Sequence, residues 1–174
     1  MSNAAVIDKA ENEWILLFED DGEAWDNMVE NHMKLISISS ADVSTGISLA
    51  PWKDVSYIPK DKRGYKISDV FSTGNAFLKK NTAQEVNGLH MAYNKGSGAD
   101  DDLGKRLFLS GKLILNNPTA IMTHHKAPTG GMRVHGAWWR NKTTTWGEFP
   151  PTTQTYTILK FYPRKMLIPH IFRI

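Results

Sequence analysis

Residues 13–21 read EWILLFEDD, an apolar run of five residues that ends in three consecutive acids. A short apolar run bounded in this way predicts a buried strand of an α/β sheet. The acids Glu19, Asp20 and Asp21 then follow the carboxyl end of that strand, which is where ligands of open α/β sheets bind. We therefore expect the chemistry of the protein to involve this end of the strand.

The residues after this stretch alternate between helical and strand patterns, which predicts an α/β fold. Apolar residues recur at three-and-four spacing from Trp25 to Ile36, as in an amphipathic helix. Gly88 and Gly111 are expected to close two further helices, 82–86 and one that begins at the acids 100–102. We predict strands over 43–49, 67–71, 76–78, 112–115 and 119–123, a turn at 116–118, and loops at 51–65 and 126–151.

Composition excludes several classes of protein. With 174 residues, 41% hydrophobic and 22% charged, the chain has enough apolar material for the core of one domain. It has no cysteine, so disulfides, thiolate nucleophiles, zinc fingers and iron–sulfur clusters are excluded. Its apolar runs are too short to span a bilayer, and its first residues do not resemble a signal peptide. We expect a cytoplasmic-facing protein.

Charge is distributed unevenly along the chain. Residues 1–59 hold 11 acidic residues against three lysines, a net charge of −8. Residues 103–174 hold one acid, Glu148, against 11 lysines and arginines, a net charge of +10. Such segregation predicts an anionic partner for the C-terminal part. Nucleic acid, an anionic membrane surface and a phosphorylated metabolite all stay open at this point.

Three polar clusters stand out in the sequence: Glu19-Asp20-Asp21, Asp100-Asp101-Asp102 and His124-His125. Each alone has an ordinary structural explanation, because acidic triplets often cap helices or form solvated turns. Their order and surroundings, however, resemble GT-A-fold glycosyltransferases of the inverting, family-2 type. The resemblance covers residues 13–133 and rests on Phe18-Glu19-Asp20-Asp21, Ser72-Thr73-Gly74-Asn75-Ala76-Phe77, Gly98-Ala99-Asp100-Asp101-Asp102-Leu103-Gly104-Lys105-Arg106-Leu107, Ser110-Gly111-Lys112, Asn117-Pro118 and His124-His125-Lys126-Ala127-Pro128.

The resemblance implies a mixed sheet flanked by helices, like the acceptor-side part of the GT-A fold, and a nucleotide-sugar donor bound with Mn²⁺ or Mg²⁺. A hard divalent cation neutralises the charge that develops on the departing diphosphate. By motif position, Asp21 is the first choice as metal ligand, and Glu19 faces the ribose or the metal. The resemblance places Asp20 as the middle residue of the motif. It implies His124 as a further metal ligand, with His125 as the second choice, and it implies Lys126 and Arg133 as contacts of the diphosphate.

On the acceptor side, the resemblance implies that Asp100 is the general base for in-line displacement with inversion. The family usually has Glu-Asp here, whereas this chain has Ala99-Asp100. Asp101 and Asp102 are assigned to the acceptor side, Asp102 also as a residue that caps and orients the helix. Trp138 and Trp139 would stack on sugar faces or pack beneath their loop. The acceptor implied is a glycan or a lipid-linked sugar, as in bacterial cell-envelope polysaccharide synthesis.

Three segments are expected: residues 1–4 as a vector scar, 5–155 as a partial GT-A domain, and 156–174 as a basic, apolar segment. Family members begin with a nucleotide-binding half that is missing before residue 13, so we expect weak activity or none from this chain alone. The last segment contacts the inner face of a membrane or packs on the sheet as a helix.

Two other readings of the sequence stay open beside the glycosyltransferase. One is a non-catalytic, GT-A-derived module that binds glycan or assembles with a partner. A second copy of the chain, in a homo-oligomer, stays open as a partner under either reading. The other takes the basic C-terminal part as a nucleic-acid surface. No helix-turn-helix, RNA-recognition or OB-type signature accompanies that basic part, so we expect no nucleic-acid partner.

Overall fold

The computed structural model of the chain describes residues 7–58, 60, 63–93, 98–126 and 152–172. Its strands are β1 (Trp14–Phe18), β2 (Gly22–Ala24), β3 (Val43–Leu49), β4 (Lys66–Ile67), β5 (Asn75–Lys79) and β6 (Ile114–His124). Its main helices are α1 (Met28–Ser39), α2 (Lys80–Glu85), α3 (Ala99–Leu109), α4 (Thr152–Phe161) and α5 (Leu167–Phe172). Short 3-10 helices cover Val55–Tyr57, Met91–Tyr93 and Arg164–Met166.

The six strands form one mixed sheet in the order β1-β5-β3-β6-β2, and β4 pairs with β6 beside this path. β3 and β6 run parallel, whereas the other pairs are antiparallel. The expected α/β fold with a mixed sheet flanked by helices is confirmed. In the described part of the chain β1 is an edge strand that pairs with β5 alone.

Helices α1 and α3 cover opposite faces of the sheet. Side chains along a strand alternate between the two faces. In β5, Phe77 stacks on His32 of α1, with ring centroids 5.9 Å apart. The next residue, Leu78, lies in one buried cluster with Leu103 and Leu107 of α3. Full burial of each such leucine contributes about 1.5–3 kcal/mol, so this cluster is a main source of stability.

The ends of α2 and α3 follow the predicted glycine signals. Gly88 has φ 56° and its N–H donates to the carbonyl of Ala83 in α2. Gly111 has φ 83° and follows α3, and the N–H of Lys112 then donates to Leu107 O. Glycine adopts this left-handed conformation without the steric cost that a Cβ brings, which explains both helix ends.

Strand β6 differs from the prediction of two strands separated by a turn at 116–118. β6 is one continuous strand. Its pairing with β3 is irregular, because Thr45 pairs with Asn116 whereas Ile47, only two residues later, pairs with Ile121. Asn117 is fully buried there, and its Oδ1 accepts hydrogen bonds from the N–H and the hydroxyl of Thr119. The turn prediction is wrong because Asn117 Nδ2 also donates to Asn31 O, at 3.0 Å, and to Ser44 Oγ, at 3.2 Å, and these long-range hydrogen bonds hold the Asn-Pro step as a bulge within the strand.

Two further boundaries differ from the sequence prediction. Of the strand expected over 67–71, only residue 67 lies in a strand, as part of β4. The N–H of Val70 donates to the hydroxyl of Ser68 and not to a neighbouring strand, so the pairing does not continue. Helix α1 begins at Met28 and not at Trp25. The indole of Trp25 instead donates to the Thr123 hydroxyl, at 2.9 Å, and so fastens the residue after β2 to β6.

Helix α4 spans the expected boundary between residues 155 and 156 and packs on the body of the domain. Lys160 Nζ lies 2.6 Å from Asp102 Oδ1 of α3. Thr157 Oγ1 and Tyr93 Oη are 2.8 Å apart and both buried. Residues 152–161 thus form a packed helix, but these contacts are with α3 and the 3-10 helix Met91–Tyr93 and not, as the alternative had it, with the sheet. Within the part of the chain that the structure describes, no helix is long and apolar enough to cross a membrane.

Candidate metal centre

A tight turn after β1 returns the chain to the end of β6. The N–H of Gly22 donates to Glu19 O at 3.1 Å, which closes the turn. β2 then pairs antiparallel with β6, with Gly22 opposite His124. The N–H of His125 donates to Asp21 O at 2.9 Å. These backbone bonds hold the acids that follow β1 against the histidines that end β6, although the two segments are at least 103 positions apart in sequence.

Three side chains converge at this point: Glu19, Asp21 and His124. His124 Nε2 lies 3.2 Å from Glu19 Oε2 and 3.3 Å from Asp21 Oδ1. One ligand atom from each residue lies within 4.8 Å of the other two. The three side chains are 40%, 16% and 24% exposed, in that order, so the cluster is held by the fold yet open to solvent.

The donor set fits a divalent cation that accepts both oxygen and imidazole nitrogen. Carboxylates suit Mg²⁺ and Mn²⁺, and an imidazole also suits transition metals. Two carboxylates and one imidazole therefore suit Mn²⁺ better than Mg²⁺, and leave coordination positions for a ligand or water. Among the described residues, this is the group of histidine and acid side chains whose spacing would hold an ion.

Gly74 shapes the place of the Glu19 carboxylate, and sequence reasoning gave it no role of its own. A Cβ on Gly74 would lie 2.8 Å from Glu19 Cδ and 3.0 Å from its Oε1, which is closer than real Cβ contacts. The absence of a side chain at residue 74 therefore lets the Glu19 side chain lie across the turn before β5. The feature of the sequence that could have indicated this role is the turn-forming stretch Ser-Thr-Gly-Asn at residues 72–75.

A buried polar network beneath the sheet bulge was missed by sequence reasoning. Asn75 is fully buried, and its Nδ2 donates to the carbonyls of Ile47, at 3.2 Å, and Ala120, at 3.0 Å. Its Oδ1 is 2.8 Å from His32 Nε2, and His32 Nδ1 is 2.7 Å from Ser44 Oγ. The network thus satisfies backbone groups at the point where the β3–β6 register breaks, four residues before His124.

The same network indicates the tautomer of His32, and burial disfavours its charged form. Because the Asn75 amide nitrogen donates to two carbonyls, its oxygen accepts from His32 Nε2–H, and Nδ1 then accepts from Ser44. Burial lowers the pKa of His32 below its usual value, and the hydrogen bond to Asn75 offsets this only in part. The imidazole is therefore neutral, and its role is to join α1 to β3 and β5.

The other predicted donor-side residues do not join this cluster. His125 is exposed and its Nε2 lies 2.9 Å from Glu23 Oε2. Its metal role therefore has no support from the geometry. Asp20 is exposed on the turn. Lys126 has φ 54°, an uncommon conformation for a residue with a Cβ, and it lines a cavity together with His124. Arg133, Trp138 and Trp139 lie outside the described residues.

The acids of α3 have different surroundings. Asp100 is partly exposed in the first turn, and its Oδ1 accepts from the N–H of Asp101 at 3.0 Å. Asp101 pairs with Lys105 one turn later. Asp102 is fully buried, with Lys160 Nζ at 2.6 Å and Arg106 Nε at 2.7 Å.

Both oxygens of Asp102 are therefore occupied within the fold. Burial opposes its ionisation, but the hydrogen bonds from Lys160 and Arg106 outweigh burial and lower the pKa of Asp102. This arrangement gives Asp102 a structural role that joins α3 to α4. It agrees with the expected helix-orienting role, and the acceptor role assigned to Asp102 has no support from its contacts.

A search for similar proteins adds no further guide to function. No protein-family model matches the chain, and no curated protein matches it at a significant level. The functional conclusion therefore depends on the fold, on the Glu19–Asp21–His124 cluster and on the motifs that resemble family-2 glycosyltransferases.

Proposed function

We propose that this chain forms the metal-binding and acceptor-binding part of a nucleotide-sugar-dependent glycosyltransferase that acts with inversion. The observation that carries the proposal is the convergence of Glu19, Asp21 and His124, with His124 Nε2 within 3.3 Å of both carboxylates. The motif resemblance implies Asp21 and His124 as metal ligands and places Glu19 at the ribose or the metal. The pairing of β2 with β6 brings these distant residues together, and a shared metal site would give their convergence a function.

Glu19, Asp21 and His124 would hold Mn²⁺ or Mg²⁺ in this proposal. When bound, the cation supplies positive charge next to the diphosphate of the donor. Lys126 lies two residues beyond His124 and lines the neighbouring cavity, so its amine is in place to bind the same anion. Arg133 keeps its expected role as a second contact of the diphosphate.

Asp100 would remove the proton from the acceptor hydroxyl. The bond between the acceptor oxygen and the anomeric carbon forms while the bond to the diphosphate oxygen breaks, and the proton passes to the Asp100 carboxylate. Its position in the first turn of α3 keeps this carboxylate partly exposed and so accessible to a substrate. Asp101, one residue on, is partly exposed and stays the acceptor-side neighbour in this proposal.

Metal-dependent nucleotide binding tests the donor site. Thermal unfolding would be followed with Mn²⁺ alone and with Mn²⁺ plus UDP, GDP, dTDP or CDP, for the unmodified chain and for Asp21→Asn and His124→Gln. We expect one nucleotide to raise the Tm only with metal, and both substitutions to remove the shift. His125→Gln is the matched control, because the adjacent histidine pairs with Glu23 outside the cluster.

A second comparison separates an enzyme from a binding module. Asp100→Asn keeps the shape of the side chain but removes its capacity to take a proton. In a glycosyltransferase, this substitution abolishes sugar transfer and leaves the nucleotide shift unchanged. Because we expect only weak transfer from this chain alone, the difference between the two proteins decides: if Asp100→Asn leaves the measured transfer and the glycan binding of the chain unchanged, the non-catalytic alternative replaces the proposal.

A further inference from the structure

A cavity of about 540 Å³ opens beside the metal centre. This is a typical size for a site that binds a small molecule. Its wall is formed by the second half of β3, the residues after it, the β4 region and the end of β6. The residues that line it include three lysines (Lys53, Lys66 and Lys126), His124, several hydroxyls and an apolar wall.

The charge of this cavity is positive. Lys53, Lys66 and Lys126 line it, and no described residue of its wall is an aspartate or glutamate. In the described part of the chain none of the three amines forms an ion pair with a carboxylate. Lys53 stands over the ring of Tyr57, with Nζ 5.5 Å from the ring centroid. Three amines around one cavity without acidic partners favour an anionic ligand.

The cavity extends well beyond the metal centre along the sheet. In the strand register, Lys66 and Thr45 both lie opposite Asn116, whereas Leu49 lies opposite Thr123, next to His124. Four residues of strand separate these two levels, or about 13 Å. A donor diphosphate at the metal centre therefore leaves Lys66 free to bind a second anionic group.

The wall of the cavity beside Lys66 is apolar and accessible. Tyr57, Ile67 and Val70 are each more than half exposed although they line the cavity. Hydroxyls of Ser48, Ser68 and other residues supply hydrogen-bond partners on the same wall. This combination suits a phosphate whose substituent presents an apolar surface, such as a sugar face or an alkyl chain.

We propose that this cavity is the acceptor site, and that the acceptor carries a phosphate group bound by Lys66 and Lys53. The inference rests on the proposed glycosyltransferase function and adds the chemical class of its acceptor. The acceptor phosphate then lies toward β4, at the level of Lys66, and the rest of the acceptor extends along the sheet. Lysine binds phosphate as a point charge, so affinity decreases as salt rises.

Phosphate binding in the absence of metal tests this site separately from the donor site. With EDTA present, inorganic phosphate, glucose 1-phosphate and hexyl phosphate would be titrated into ¹⁵N-labelled protein and followed by chemical-shift changes. We expect shifts at residues around the cavity, and an affinity about tenfold weaker in Lys66→Gln and Lys53→Gln. Tighter binding of glucose 1-phosphate than of hexyl phosphate identifies a sugar phosphate, and the reverse order identifies a lipid phosphate.

Lys34→Gln is the matched control, since Lys34 is an exposed lysine of α1 that does not line the cavity. Equal binding by all variants, equal losses in the Lys34 and Lys66 variants, or no binding to the unmodified chain would overturn the proposal. Retained phosphate binding in a chain that binds neither Mn²⁺ nor nucleotide would support the phosphate site and refute the glycosyltransferase function, so the two failures are distinguishable.

Discussion

Replacing Asn75 with leucine is the most informative perturbation of the buried network. The side chain of Asn75 makes three hydrogen bonds, to the carbonyls of Ile47 and Ala120 and with His32 Nε2. Leucine has a similar volume but makes none of them. Each buried group left without a partner costs about 1–3 kcal/mol, and the bulge at Ala120 allows some relaxation. We therefore expect the free energy of unfolding to fall by about 3–6 kcal/mol.

Urea denaturation of Asn75→Leu measures this loss. Asn81→Leu is the control, because Asn81 is an exposed residue of α2 and its substitution should change stability by less than about 0.5 kcal/mol. We also expect weaker metal binding by Asn75→Leu, because the network holds β6 just before His124. A loss below about 1 kcal/mol for Asn75→Leu would refute the claim that these three bonds stabilise the bulge.

Three further predictions concern stability and the metal centre. Because the pKa of His32 in the folded protein is below 6.5, its value in the unfolded chain, the neutral imidazole stabilises the fold fully above pH 6.5, and this contribution is lost as the pH falls below 6.5. The urea midpoint should therefore decrease less between pH 7.5 and pH 5.5 in His32→Gln than in the unmodified chain. Asp102→Ala leaves two cations without their shared carboxylate, and because those cations are partly exposed we expect a loss of about 2–4 kcal/mol in urea denaturation, whereas no loss would exclude the structural role. Gly74→Ala should displace the Glu19 carboxylate and weaken Mn²⁺ binding about tenfold in calorimetry, with folding retained; unchanged affinity would contradict the role given to the glycine.

Elements whose signals are local were predictable from sequence. The apolar run before Glu19 gives β1, and residues 43–49 form β3 as predicted. The left-handed glycines at 88 and 111 follow the ends of helices because glycine adopts this conformation without the steric cost of a Cβ. β6 was not predictable, because the Asn-Asn-Pro sequence signals a turn and only long-range hydrogen bonds of Asn117 keep it within a strand.

In the candidate metal site too, local sequence motifs indicated the residues, whereas long-range strand pairing decides which of them meet. Motif resemblance named Glu19, Asp21 and His124, but adjacency in sequence does not separate His124 from His125. The pairing of β6 with β2 separates them, since His124 meets the cluster and His125 reaches Glu23. The His32–Asn75 contact joins residues 43 positions apart, so no local sequence pattern predicts it.

The roles of Arg133, Trp138 and Trp139 and the membrane contact of residues 156–174 stay predictions. Exposed apolar residues of the last segment, Leu159 and Ile168 among them, and its basic residues agree with contact at an anionic surface. Flotation of the chain with anionic vesicles would measure that contact.

The central claim is that Glu19, Asp21 and His124 form one metal site. Anomalous scattering from a crystal grown with Mn²⁺ tests it most directly, because the peak locates the ion independently of any assay. The account predicts a single strong peak within about 2.5 Å of a carboxylate oxygen of Glu19 or Asp21 and of His124 Nε2. A strong peak at His125 and Glu23, or no peak at this end of the sheet at saturating Mn²⁺, would contradict it.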